Sequence, residues 1–420
     1  MKNIILKTLT FCVALFFMSQ VYATQSTQNT LEKNAALKKT LTNLIQLYNI
    51  PGAVFSYAFA DQPIQTIAVG VNDINPNSPL TENALFLTGS VTKLFVAAAI
   101  LQQVEAGKLS IDDTLSQLAK QYGGELADSI KQYPTLGIVT VRQLLNHTSG
   151  VPEDFNTKAF AAAFVKDPMR TWTDQELLAI AMQKPFFFKP GTPWLCSYTN
   201  TDYLLLGIVL KSVTHKPISE LFTQLWTEAK LKDIYYSDNG VLPPSVIRKM
   251  AYGYLDITDD NPLTAAFKDA PVVTIPGAKP RLAYKLHDAY TIFPGSSGGI
   301  VANTQALTQW YQALFQGNLL TSKSIDAMIH NGAPFGKHSI AAYGLGVVIF
   351  HSPQFGLFVY HNGFTPGYSV ICFYFFKYHL AMALAINSSD PAFLDTIDYD
   401  TGEILPGAFA ELMPILIEGK

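Results

Sequence analysis

The sequence predicts an α+β fold in which an antiparallel sheet is flanked by N- and C-terminal helices and carries an inserted, mostly helical lobe. Apolar, strand-like runs lie near both ends of the chain, so the terminal segments can complete a single sheet. The region between them has helical periodicity instead. The C-terminal runs follow one another as hairpins, which favours antiparallel pairing over a parallel, doubly wound sheet.

The first folded element is a helix over residues 31–48, where leucine and isoleucine recur at helical spacing until Pro51-Gly52 ends it. The apolar stretch 370–386 forms a hairpin rather than a membrane span, because Lys377 and His379 divide it into two short halves. Strands are expected over residues 53–60, 64–71, 344–350, 356–360, 368–376 and 380–387.

The middle of the chain is predicted to be rich in helices, with a less regular segment after them. Residues 233–290 contain many Pro, Gly, Asp and Tyr residues and are expected to form extended loops with little regular structure. A later helix over 304–315 begins after Asn303, a residue type suited to capping. Helices are expected over residues 91–105, 141–146, 174–183, 201–213 and 218–231.

Residues 1–23 have the pattern of a signal peptide. Lys2 and Lys7 supply a positive start, the apolar stretch 8–18 is too short to span a bilayer, and Val21-Tyr22-Ala23 fits a small-residue cleavage site. The alternative, a membrane anchor, is disfavoured by the polar residues that follow. The sequence therefore predicts export to the periplasm or outside the cell, with no stable membrane span in the mature chain.

The rest of the chain is predicted to form a flexible leader over residues 24–35 and a single domain over 36–420. Within that domain a sheet lobe takes residues 36–88 and 291–420. A lobe of helices and loops takes residues 89–290.

Composition excludes several functional classes. Hydrophobic residues are 49% and charged residues 15%, which is typical of a globular protein. The formal net charge of −3, without a basic face, gives no support to nucleic-acid binding. Cys196 and Cys372 are interpreted as two buried thiols rather than a disulfide. No Cys/His spacing indicates zinc, so neither a metal nor a cofactor is expected.

The chemistry of the chain centres on Ser90-Val91-Thr92-Lys93, its single Ser-x-x-Lys sequence. The helical stretch 91–104 that follows is apolar nearly all round, which indicates burial, and Lys93 is its one charge. Ser90 and Lys93 share a helical face, and burial disfavours a charged lysine. Two interpretations stand at this point: an activated serine with its lysine partner, or a serine N-cap followed by a lysine that reaches solvent.

Two further clusters add polar groups to this centre. Tyr198 and Asn200 stand two apart on a loop, from which both can point toward one point. Tyrosine is a poor base at its ordinary pKa of about 10, but a neighbouring lysine cation would lower that pKa. His361-Asn362-Gly363 ends the predicted strand 356–360, where His361 could bind a carboxylate or share a proton. Gly363 is expected to leave room for a substrate along the strand edge.

These motifs resemble the serine β-lactamase and penicillin-binding-protein superfamily, in the branch of class C β-lactamases and D-alanyl-D-alanine carboxypeptidases. That family has Ser-x-x-Lys, Tyr-x-Asn and Lys-Thr-Gly or His-x-Gly in this order. The chain has Ser90-x-x-Lys93, Tyr198-x-Asn200 and His361-x-Gly363. Flanking matches extend the resemblance over about residues 36–390; they are Leu144-Leu145-Asn146-His147-Thr148-Ser149-Gly150, Tyr203-Leu204-Leu205-Leu206-Gly207 and Tyr343-Gly344-Leu345-Gly346.

The resemblance implies a β-lactamase/transpeptidase-like fold and a role for each motif residue. Ser90 would be acylated, Lys93 would tune the proton transfers, and Tyr198 would be the general base. Asn200 would orient the substrate amide, and the N–H groups of Ser90 and Phe364 would form the oxyanion hole. His361 would replace the lysine found in most β-lactamases of the branch, and with the bulky Phe364 this puts β-lactamase activity in doubt.

The predicted function is therefore that of an exported serine hydrolase acting through an acyl-enzyme on a D-alanyl peptide or similar small amide, with possible β-lactam binding. Alternatives are an esterase, a class C-like β-lactamase, or a catalytically retired relative that binds peptidoglycan fragments or a partner.

The glycine-rich segment 295–299 and His147 are predicted to have structural roles. Gly295-Ser296-Ser297-Gly298-Gly299 matches the nucleophile elbow of α/β-hydrolases but lacks the strand and helix around it, so it is expected to turn the backbone beneath the site. His147 is expected to end a helix and bond to its loop. Glu153 and Asp154, which follow that loop, could border the substrate cleft.

Overall fold

The computed structural model describes residues 28–60, 62–153, 158–167, 170–257, 262–277, 280–286, 295–317, 319–337, 339–389, 391–394 and 407–419. The predicted signal peptide and the first four residues of the predicted leader lie outside these ranges. Helix α1 covers residues 28–47. The part of the leader from residue 28 to 35 is thus helical rather than flexible, because residues 28–47 contain no glycine or proline to interrupt a helix.

The described strands account for one large and two small sheets. In chain order they are β1 (Gly52–Phe59), β2 (Gln65–Ile74), β3 (Asn77–Pro79), β4 (Phe86–Leu87), β5 (Ile234–Tyr235), β6 (Gly253–Asp256), β7 (Val272–Ile275), β8 (Arg281–Leu286), β9 (Val301–Ala302), β10 (Ala333–Pro334), β11 (Ala341–Tyr343), β12 (Val348–Ser352), β13 (Gly356–Thr365), β14 (Tyr368–Phe375) and β15 (Leu380–Ile386).

The large sheet confirms the predicted α+β class. Its nine strands run β10-β11-β12-β13-β14-β15-β1-β2-β3, and every adjacent pair is antiparallel. The predicted hairpin is β14–β15, with Cys372 opposite Ala383. N-terminal β1 pairs with C-terminal β15, with Ala53 opposite Ile386, so the two ends of the chain share one sheet.

The remaining helices form the inserted lobe and cover the sheet. They are α2 (Thr92–Glu105), α3 (Leu115–Tyr122), α4 (Gly124–Gln132), α5 (Val141–Leu145), α6 (Lys158–Lys166), α7 (Asp174–Ala181), α8 (Asn200–Thr214), α9 (Ile218–Glu228), α10 (Pro244–Ile247), α11 (Thr304–Phe315), α12 (Ser322–His330), α13 (Pro391–Leu394) and α14 (Ala408–Ile417). Asn303 caps α11 as predicted, its side chain accepting from the Ala306 N–H.

Each face of the sheet carries its own hydrophobic core. The inner core packs the sheet against α2, α8 and α11 and includes Val359, Cys372 and Ala383. The outer core packs the opposite face against α1 and α14 and includes Phe358, Phe373 and Phe409. Because β14 and β15 are buried on both faces, their sequences are apolar except for Ser369.

The segment 233–290 differs from its prediction. Strands β6, β8 and β7 form a three-stranded antiparallel sheet, with Gly253 opposite Leu286 and Val272 opposite Tyr284. These strands have only four to six residues each. Strands this short leave little periodic signal among the surrounding proline and glycine residues.

Both cysteines of the described chain are free thiols, as predicted: Cys372 is buried and Cys196 is partly buried. No helix in the described ranges combines the length and apolarity needed to cross a bilayer.

Candidate active site

Ser90 lies in a 3₁₀ turn, Gly89–Val91, that leads into α2. Gly89 has a φ of +52°, a left-handed conformation that residues other than glycine rarely adopt. A Cβ there would stand 2.9 Å from the backbone nitrogen of Phe364 on β13. The turn is therefore pressed against the strand. Ser90 is half-buried, and its hydroxyl does not cap α2, whose N-cap is Val91.

Lys93 is fully buried at the second position of α2, with 0% exposure. Its Nζ donates to Ser90 Oγ at 3.0 Å, Asn200 Oδ1 at 2.7 Å and the Ser297 carbonyl oxygen at 2.8 Å. Three acceptors around one amine suit an ammonium group with all its hydrogens engaged. The lysine therefore points into the site and not toward solvent.

Tyr198 reaches this lysine from the loop before α8, and Asn200 reaches it from the first position of α8. Thr199, between them, is buried and caps the helix by accepting from the Thr201 N–H, which fixes the loop. Lys93 Nζ lies 4.9 Å from the centroid of the Tyr198 ring, within reach of a cation–π interaction. Tyr198 is 38% exposed, and its ring also packs on that of His147, with 4.4 Å between ring centroids.

His361 is in the site but is buried and neutral. Burial, reinforced by the positive charge of Lys93, lowers the pKa of His361 from 6.5 to about 3. Nδ1 donates to the Asn362 carbonyl oxygen at 2.6 Å, so Nε2 accepts from the Tyr343 hydroxyl at 2.8 Å. Both nitrogens are thus engaged and the ring carries no charge for a substrate carboxylate, the first of the two roles that the sequence suggested.

Gly363 makes a close backbone approach possible, but not the one predicted. A Cβ at Gly363 would stand 1.9 Å from the Thr88 carbonyl oxygen and 2.9 Å from Ser90 N. The space that was expected to hold substrate is filled by the serine turn itself. The two predicted oxyanion-hole nitrogens, on Ser90 and Phe364, accordingly belong to backbone segments in direct contact.

A buried polar cluster supports the Tyr198 loop. His147 follows α5 with a φ of +58°, and its Nδ1 lies 2.8 Å from Asp202 Oδ2. Ser149 donates to the other oxygen of Asp202. Burial raises the pKa of Asp202 well above its ordinary value and lowers the pKa of His147 well below its own. Burial therefore favours the neutral forms of both groups, and the cluster fastens the loop to α8.

Three contacts of the site were not assigned from sequence. Ser297 supplies a carbonyl to Lys93 from the 3₁₀ turn Gly295–Ser297, which confirms that the glycine segment turns beneath the site. Tyr343, from the Tyr343-Gly344-Leu345-Gly346 segment, bonds His361. The Glu153 carboxylate accepts two hydrogen bonds from Asn200 and so lies next to the polar groups of the site. Within the described part of the chain, no cluster of three or more His, Cys, Asp or Glu residues could hold a metal.

Comparison with known proteins gives the family. The Beta-lactamase family model matches residues 37–403. Penicillin-binding protein 4* of Bacillus subtilis (strain 168) is 26% identical over 307 residues, covering 72% of this chain and 60% of the relative. Esterase EstB of Burkholderia gladioli is 27% identical over 190 residues, 44% of this chain and 46% of the relative. D-amino acid amidase from Ochrobactrum anthropi SV3, in its complex with D-phenylalanine, superposes with a TM-score of 0.73 at 21% identity, over 92% of this chain and 100% of that one.

The chain therefore belongs to the Beta-lactamase family, within the serine β-lactamase and penicillin-binding-protein superfamily. The likeness to the amidase, at 21% identity, is a likeness of fold. The chain spans 60% or less of the length of the first curated relatives it matches.

Proposed function

We propose that the protein is an exported serine hydrolase that acts through an acyl-enzyme on Ser90. The observation that carries the proposal is the buried Lys93 ammonium donating to Ser90 Oγ at 3.0 Å. A cation buried in an apolar helix costs desolvation free energy, so its placement against a serine hydroxyl calls for a chemical reason. Activation of a nucleophile is such a reason.

The direction of these hydrogen bonds favours Tyr198 as the base. Because Lys93 donates to Ser90 Oγ, the serine proton is directed elsewhere, and a second group must remove it. Tyr198 stands over the same ammonium, whose positive charge favours a phenolate. The N–H groups of Ser90 and Phe364 would then stabilise the oxyanion of the tetrahedral intermediate. Asn200 would hold the lysine and orient the substrate amide.

The substrate class we propose is a D-alanyl peptide, as in a D-alanyl-D-alanine carboxypeptidase, or a related small amide. The family motifs and the penicillin-binding relative support it. An ester is the second candidate, favoured by the neutral, fully bonded His361, which offers no charge for a substrate carboxylate. The same observation weighs against efficient β-lactam hydrolysis.

The test is acylation and turnover by the purified mature protein. A fluorescent penicillin should label the wild type and leave Ser90→Ala unlabelled. Turnover of a D-Ala-D-Ala peptide, a D-alanine amide, a p-nitrophenyl ester and nitrocefin then ranks the substrate classes. Absence of both labelling and turnover in folded wild type would refute the enzyme and favour a binding relative.

A further inference from the structure

Glu153 holds Asn200 by two hydrogen bonds at the start of α8. Its Oε2 accepts from the main-chain N–H of Asn200 at 2.9 Å, and its Oε1 accepts from Asn200 Nδ2 at 3.2 Å. The opposite end of the same amide, Oδ1, accepts from Lys93 Nζ at 2.7 Å. One side chain, Asn200, thus connects the carboxylate of Glu153 to the buried lysine.

The chemistry of the three groups allows one orientation of the amide. A carboxylate only accepts hydrogen bonds and an ammonium only donates them, whereas an amide has one end of each kind. If Asn200 were flipped, its NH₂ would face the Lys93 ammonium and its oxygen would face the Glu153 carboxylate. Both contacts would then be repulsive. Glu153 therefore selects the orientation in which Asn200 can hold Lys93 against Ser90.

We propose that Glu153 is a positioning residue for catalysis, which acts through Asn200 to fix Lys93 against Ser90. The proposal rests on the proposed function of this site. It differs from a purely structural role, in which the Glu153 carboxylate only caps the N-terminus of α8 through the main-chain N–H of Asn200.

Glu153→Gln separates these two roles. A glutamine oxygen can still accept from the Asn200 main-chain N–H, but its amide nitrogen cannot accept from Asn200 Nδ2. The helix cap is kept while the side-chain clamp is lost. We expect a melting temperature within a few degrees of wild type and a second-order acylation rate, measured with a fluorescent penicillin or an activated ester, that falls about 10- to 100-fold.

Glu176→Gln is the matched control. Glu176 is another glutamate of the helical lobe, where it forms a capping box with Thr173 that glutamine can also make. The variant changes the net charge by the same amount and leaves the site contacts intact. We expect its acylation rate to equal that of wild type. A slower Glu176→Gln protein would attribute the effect to net charge and overturn the proposal.

A double variant tests whether Glu153 acts through Asn200. In an Asn200→Ala background, Glu153→Gln should change the acylation rate by less than about twofold, since the amide that Glu153 orients is gone. An undiminished 10- to 100-fold effect in that background would overturn the proposal. So would a Glu153→Gln protein that is acylated at the wild-type rate.

A crystal structure of the Glu153→Gln variant tests the proposal even if no substrate that acylates the protein is found. In a crystal structure of full-length Glu153→Gln, we expect the Asn200 amide to turn away from its wild-type orientation and the Lys93–Asn200 hydrogen bond to be lost. An unchanged amide would overturn the proposal even if no substrate is found. Failure of the wild type to be acylated would instead count against the proposed function.

Discussion

At the scale of single residues, the site depends on how burial sets charge. Lys93 keeps three acceptors at hydrogen-bond distance, whereas the nearby His361 and His147 are pushed toward neutrality by burial and by the lysine charge. The Lys93 cation thus lies among neutral rings, with Ser90 Oγ 3.0 Å and the Tyr198 ring centroid 4.9 Å from its Nζ. This arrangement predicts strong effects from two substitutions.

Lys93→Ala should remove most acylation and leave the protein folded. Proton transfer by a positioned group contributes about 10²- to 10⁴-fold, so labelling by a fluorescent penicillin or an activated ester should fall by that factor. The free energy of unfolding should change little, because the lost hydrogen bonds are offset by removal of a buried charge. Labelling rate and melting temperature should be measured together, with Ser90→Ala as the comparison. Full labelling of the Lys93 variant would exclude the lysine from the mechanism.

The depressed pKa of His361 predicts a loss of stability in acid. Its pKa falls from 6.5 in the unfolded chain to about 3 in the folded protein, so between these values the unfolded chain binds the extra proton. Stability from this residue is fully present above pH 6.5 and decreases by about 1.4 kcal/mol per pH unit as the pH falls toward 3. His361→Gln should show a shallower dependence in urea unfolding at pH 7, 6 and 5.

His147 titrates in the same direction but is present in both proteins, so the difference between them isolates His361. An NMR titration of the folded wild type supplies the direct check. An imidazole resonance of His361 that titrates near pH 6.5 would contradict the neutral, buried ring.

At the scale of elements, the site is formed where β13 meets the serine turn. The sequence predicted that this strand ends at Tyr360, but it continues to Thr365. Its partner β12 stops pairing at Tyr360, while β14 pairs along the whole remaining length. The His-x-Gly motif therefore lies on the part of β13 that β12 does not pair with, and the Ser90 turn packs against this part of the strand.

Gly363→Ala should slow acylation by about 100-fold, because it displaces these two elements from each other. The added methyl would stand 1.9 Å from the Thr88 carbonyl oxygen, a backbone atom, so either the strand or the serine turn must shift. A displacement of about 1 Å at reacting groups can cost about 100-fold in rate. Gly336→Ala is the control, because its Cβ would meet no atom within 4 Å. Wild-type labelling of Gly363→Ala would show that this contact is not needed.

How far the sequence predicts these elements depends on the length of the periodic signal. Helix α11 matches its predicted residues, and α8 differs by one residue at each end, because both have long apolar faces and caps. Strands β6 to β8 were missed because each is short.

For the site, what the sequence can predict depends on how far apart the contacting residues lie in the chain. Ser90 and Lys93 can be paired from spacing, since three residues in a helix fix their relation. By contrast, the hydrogen bond between Asn200 and Glu153 joins residues 47 positions apart. The hydrogen bond between Lys93 and Ser297 joins residues 204 positions apart. No local pattern encodes contacts over such separations.

At the scale of the whole molecule, the sheet separates two cores with different tasks. The inner core includes Leu94 and Phe95 of α2 and Tyr203 of α8, the helices that carry Lys93 and Asn200. The outer core joins α1 and α14 to the opposite face and contains none of the proposed catalytic residues. Apart from Tyr343, which bonds His361, the outer core should therefore contribute stability without setting the geometry of the site.

Phe409→Ala tests this separation of stability from catalysis. Phe409, on α14, is 3% exposed, and its ring centroid lies 5.0 Å from that of Phe373 and 5.8 Å from that of Phe375. Removing a buried phenylalanine costs about 3–5 kcal/mol, so urea unfolding should show a loss of that order. Leu47→Ala, on α1 of the same layer but 75% exposed, should change stability by less than about 0.5 kcal/mol.

In Phe409→Ala, the acylation rate per folded molecule should stay within about twofold of wild type, because the inner core that positions α2 and α8 is intact. The rate is measured well below the unfolding transition and normalised to the titrated active fraction, so that lost stability is not counted as lost chemistry. A large fall in this normalised rate would show that the sheet transmits changes in outer packing to the Ser90 turn, and the two cores would then act as one.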